Sequence, residues 1–70
     1  MHRFLVVIEK AEGNYSAYCP DLPGCVATGE TAREAEVHMH EALQLHIEGM
    51  VEDGEPIPES EALAEYMVVA

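Results

Sequence analysis

Seventy residues with 49% hydrophobic side chains allow one small domain, and 14 acidic against 3 basic residues give it a formal charge of −11. Phosphate backbones are bound through counterion release by Lys and Arg, so a chain holding only Arg3, Lys10 and Arg33 is not expected to bind nucleic acid or anionic membrane directly and suits a basic protein partner instead. Two cysteines are too few for a disulfide framework, no apolar run approaches the roughly 20 residues of a membrane span, and no signal peptide opens the chain, which together point to the cytoplasm and reduced thiols.

In chain order, His2 to Lys10 is β-branched and aromatic and predicts a first strand. Phe4, Val6 and Ile8 share one face while Leu5 and Val7 share the other, so the strand is apolar on both sides. Glu12-Gly13-Asn14 is turn-forming, and Tyr15 to Cys19 predicts the return strand of a hairpin. Pro20 and Pro23 cannot sit in a central strand; they make a turn that Gly24 exits into a third strand, Cys25 to Thr28.

Thr31 and Glu34 form an S/T-x-x-E capping box, which predicts a helix from Thr31 to about Asp53. Its apolar stripe is Ala35, Met39, Ala42, Leu43, His46, Ile47 and Met50. Asp53-Gly54 and the following prolines stop it. Ser60 to Leu63 predicts one helical turn, and Tyr66 to Val69 a fourth strand. The expectation is therefore an α+β, two-layer β-β-β-α-β domain over residues 1–70, with the last strand parallel to the first through a right-handed crossover. One helix covers one face of such a four-stranded mixed sheet. The other face, Leu5 and Val7, is expected to be covered by a second copy in a homodimer or higher oligomer.

No residue pattern predicts catalysis, a metal or a cofactor. His38 and His40 are two apart on the helix and diverge, and His46 lies on the apolar stripe as a core histidine. Cys19 and Cys25 do not form C-x-x-C and read as small apolar fillers. The first strand has only Glu9 near its end and the last only Glu65 at its start, so the converging acids of a two-metal nuclease are missing.

Tyr18-Cys19-Pro20-Asp21-Leu22-Pro23-Gly24-Cys25, Thr28-Gly29-Glu30-Thr31, Glu34-Ala35, Glu41-Ala42-Leu43 and Ile57-Pro58 resemble the HicB-like antitoxins of bacterial type II toxin–antitoxin systems, over roughly residues 3–69. The resemblance implies a partial ribonuclease-H-like fold without nuclease activity. It also implies a partner: a small basic toxin of the HicA type, which cleaves mRNA. Fuller members carry a C-terminal DNA-binding domain, and a chain written to Ala70 reads as a stand-alone form. The residues expected to contact the toxin are Asp21, Leu22, Pro23 and Gly24 in the turn and Glu34, Glu41 and Glu48 on the helix. The alternative is an orphan structural or small-ligand-binding oligomer with no toxin.

Overall fold

The computed structural model describes residues 2–70. β1 (Val7–Ala11), β2 (Asn14–Tyr18) and β3 (Val26–Gly29) form a sheet in the order β1-β2-β3, antiparallel throughout, and α1 (Ala32–Glu52) packs on one side of it. The register aligns Ile8, Ala17 and Ala27 in one row and Val7, Tyr18 and Val26 in the next. Because side chains alternate along a strand, the first row faces the helix and the second faces away. Small side chains in the inner row let the helix come close, and Ala17 and Ala35 are fully buried between the layers.

The connection from β2 to β3 is two turns in tandem. Leu22 N–H donates to the Cys19 carbonyl (3.2 Å) and Cys25 N–H to the Leu22 carbonyl (3.1 Å). Each turn has proline at its second position, where a fixed φ is already correct. Gly24 completes the second turn with φ +85°, a left-handed value that costs glycine nothing. The three corner residues Cys19, Leu22 and Cys25 all point inward, at 3%, 2% and 4% exposure. Both cysteines are unbonded, and they fill the core as the apolar reading expects.

That turn also explains why the first strand begins later than its propensity suggests. Val7 pairs with Tyr18 and no ladder continues to residues 2–6. The next partner would be Cys19, whose carbonyl is already taken by Leu22, and beyond it Pro20 has no N–H to give. Phe4 and Val6 still pack on the core beside Ile8.

The helix is closed at both ends. Thr31 Oγ1 accepts from Glu34 N–H at 3.0 Å, and Glu34 Oε1 reaches back to Glu30 N–H at 3.2 Å, one residue ahead of the usual capping-box target. At the other end Gly54 N–H donates to Val51 and Glu55 N–H to Met50, a Schellman closure with Gly54 at φ +71°. His38 Nδ1 donates to the Thr28 carbonyl at 2.7 Å, tying the exposed edge of the helix to β3. His46 is half-buried.

Two expectations for the C-terminal stretch are corrected. Ser60 to Leu63 is not helical: Ser60 Oγ instead donates to Asp21 Oδ2 at 3.2 Å, and Ala62 N–H donates to the same oxygen at 3.3 Å. Tyr66 to Val69 is not a strand of this sheet, so the sheet has three strands and is not mixed. After Ala62 the chain runs out as an arm on which Tyr66 and Val68 are wholly exposed. The molecule is accordingly elongated, 47 × 27 × 18 Å with a radius of gyration of 13.5 Å, against about 11 Å for a compact domain of this length.

Candidate functional site

Glu34, Glu41 and Glu48 are seven residues apart on α1. Seven residues are close to two turns, so the three carboxylates fall on nearly one line along the helix, drifting by about 20° per step. Glu41 is exposed and lies with Arg33, Glu36, Val37 and His40. Glu48 is exposed and stands at the rim of an apolar groove. Glu34 is committed to the cap at the helix start, where its charge also meets the positive end of the helix dipole.

The groove runs between the helix and the chain leading into β1. Phe4, Leu43 and Ile47 line it, with His2, Arg3, His40, Gln44 and Glu48 around them. It continues past His40 toward Val6, Ile8 and Met39. Its origin is the placement of the helix, which packs most closely on β3 and least on β1. The inner face of the first strand is thus left half-covered.

Among the described residues one ion pair forms, Arg33 Nη1 to Glu36 Oε1 at 3.0 Å, between two exposed side chains. That pair engages one of the 14 acidic residues. The acidic excess is therefore not consumed inside the fold and presents an open negative surface. No three His, Cys, Asp or Glu side chains among these residues converge where a metal ion could sit, and no helix is long and apolar enough to cross a membrane.

Of the turn residues expected to touch a partner, Pro23 and Gly24 are exposed. Asp21 is half-buried and its carboxylate already holds Ser60 and Ala62. Leu22 is core at 2% exposure, which removes it from the residues a partner can reach in this conformation. Leu5 and Val7 are half-buried on the sheet face away from the helix, where Val7 aligns with Tyr18 and with Val26, itself 62% exposed. Tyr18 and Val26 are the residues that extend this face beyond the first strand. Their alternation with Ala17 and Ala27 is the signal that marks them.

The family model described as the HicB_like antitoxin of bacterial toxin-antitoxin systems matches residues 4–69. The chain belongs to the HicB-like antitoxin family. The match takes in every element of the fold, the Asp21–Gly24 turn and most of the arm. Among curated proteins, this HicB-like chain is 42% identical over 62 residues to an uncharacterized 14.9 kDa protein from the rep-hol intergenic region of Haemophilus phage HP1, covering 89% of this chain and 47% of that one. It is 33% identical over 70 residues to a UPF0150 protein of Synechocystis, with 99% and 89% of the two chains covered. A UPF0150 protein of Thermoplasma acidophilum is 38% identical over 61 residues, covering 86% and 88%. The chain thus spans about half the length of the phage relative and nearly all of the other two. No solved structure matches it.

Proposed function

We propose that this chain is a non-enzymatic antitoxin that binds and neutralises a small basic HicA-type toxin that cleaves mRNA. The observation that carries the reading is the unneutralised acidic surface, with Glu41 and Glu48 on one exposed line of α1 beside an apolar groove. A protein that grips RNA needs cationic side chains, and an acidic line opposes them directly: complementary potential accelerates encounter and sets register. Family membership supports the same role. In this reading Asp21 holds the binding face in shape and Pro23 and Gly24 border it. Glu34 contributes charge while capping the helix. Leu5 and Val7 belong to a contact between copies, so that the active form is a homo-oligomer. The site of action is the cytoplasm, where mRNA is found.

The test is co-expression in a bacterial host of this chain with a HicA-type toxin whose induction arrests growth. The reading expects restored growth and co-purification of the two chains. Unrelieved arrest together with no co-purification contradicts it and leaves the orphan oligomer as the better description.

A further inference from the structure

Among the described residues one strand-forming segment has no sheet, and the three-stranded sheet has two free edges, of which that of β1 lies beside an apolar groove. The segment is Leu63 to Val69, in which Leu63, Tyr66, Met67, Val68 and Val69 are 93%, 105%, 83%, 103% and 85% exposed. Monomers in water do not keep such a run of large apolar side chains uncovered. The edge is the outer side of β1 with residues 2–6 ahead of it, which pairs with nothing although Phe4, Val6 and Ile8 pack inward from it. Beside that edge lies the groove of Phe4, Leu43 and Ile47.

A fourth strand along β1 would fill both vacancies, yet the chain's own arm is led elsewhere. Ile57 to Ser60 passes His2, Arg3 and Phe4, and Ser60 and Ala62 are then fastened to Asp21. Asp21 lies in the turn after β2, the inner neighbour of β1, so Ser60 and Ala62 are held there and not along the free edge of β1. Pro56 and Pro58 stiffen the segment that sets this course. From Ala62 to Val69 the arm can extend about 23 Å, enough to reach a neighbouring domain.

We infer that the arm of each chain is exchanged with a second copy, where Tyr66 to Val69 lies along the β1 edge and fills the Phe4–Leu43–Ile47 groove. The occupant is a second copy because each chain supplies one arm and one groove, so a two-fold axis satisfies both at once and closes the assembly. Charge agrees: Arg3, His2 and His40 line the groove beside Glu48, and the arm's one charged residue after Leu63 is Glu65. Size agrees as well, since two exchanged strands that each pack Tyr66 and Val68 into a groove remove on the order of 1,000 Å² from water over both copies, the lower end of the range for a specific interface. The exchanged strand adds a fourth strand to each three-stranded sheet across the two copies. Its second apolar side extends the outer face of Leu5 and Val7. This inference does not rest on the toxin reading.

The experiment is an isotope-filtered NOE measurement on an equal mixture of ¹³C,¹⁵N-labelled and unlabelled full-length chain, with sedimentation equilibrium on the same sample and no other protein present. The expected result is a mass twice 7.7 kDa and interchain NOEs from the Val68 methyls to Phe4 and Val6. Val68→Glu, which leaves every core residue of the domain in place, is expected to shift the mass to the monomer while the domain's own NOEs persist. A monomer mass for the unaltered chain overturns the inference. So does a dimer whose arm gives only intrachain NOEs or none.

Discussion

Asp21 and Ser60 lie 39 residues apart in the chain and are joined by a 3.2 Å hydrogen bond from the serine hydroxyl to the carboxylate. The same oxygen accepts the Ala62 backbone N–H. One side chain thus fixes where the arm leaves the domain. Asp21→Ala removes the acceptor of both bonds, and the expected cost is about 1 kcal/mol, the usual net worth of such bonds. Hydrogen exchange at Ala62 is the sharper readout. Its amide should lose protection in the variant while the β1–β2 amides keep theirs.

Gly29 sits where the end of β3 meets the first turn of the helix. A Cβ there would stand 2.8 Å from the Glu34 carbonyl carbon and 2.9 Å from Ala35 Cα, and it would collide with the Ala35 nitrogen. These are backbone atoms and cannot swing aside. Gly29→Ala is therefore expected to cost about 1–3 kcal/mol as overpacking, read as a lowered urea midpoint. Gly49, in the helix with nothing near its missing Cβ, is the control: Gly49→Ala should stabilise by up to about 1 kcal/mol through helix propensity.

The Cys25 thiol is pushed above its ordinary value of 9.0 by burial, with the charge of neighbouring Cys19 adding to the shift. A thiol with a raised folded pKa holds its proton more tightly folded than unfolded. Its contribution is complete below the unfolded value and is lost as pH rises through 9.0 toward the folded one. The urea midpoint should therefore fall above that pH, and less steeply in Cys25→Ala. At neutral pH both buried thiols should resist iodoacetamide until the chain is unfolded.

Local chemistry made most of the domain legible in its sequence, because it needs only a few adjacent residues. Thr31 with Glu34 announced the helix start, Gly54 its end, and Pro20, Pro23 and Gly24 the tandem turn. Placement of the ends was not legible. The strand propensity of Tyr66 to Val69 says that the segment wants a ladder but not whose, and that choice rests on a carboxylate 45 residues before Tyr66 in the chain. Ser60 to Leu63 has the local composition of a helical turn, yet the Ser60 hydroxyl bonds a carboxylate 39 residues away, which no local pattern shows. Leu22 lies in a turn, where residues are usually exposed, whereas the three-residue spacing of Cys19, Leu22 and Cys25 turns all three into the core. For the candidate surface, the seven-residue spacing of Glu34, Glu41 and Glu48 was readable; the groove beside them depended on which strand the helix favours.

Charge reversal separates the acidic line from the rest of the surface. Glu41→Lys with Glu48→Lys touches exposed side chains, so the domain's thermal midpoint should change little. Toxin affinity measured by calorimetry should fall by about tenfold or more and lose much of its dependence on salt.

The most direct measurement is RNA cleavage by a HicA-type toxin titrated with this chain. Cleavage is expected to fall to background near equal molar amounts, and the doubly charge-reversed chain to be needed in large excess for the same effect. Cleavage that continues unchanged at large excess of the unaltered chain would contradict the proposed function.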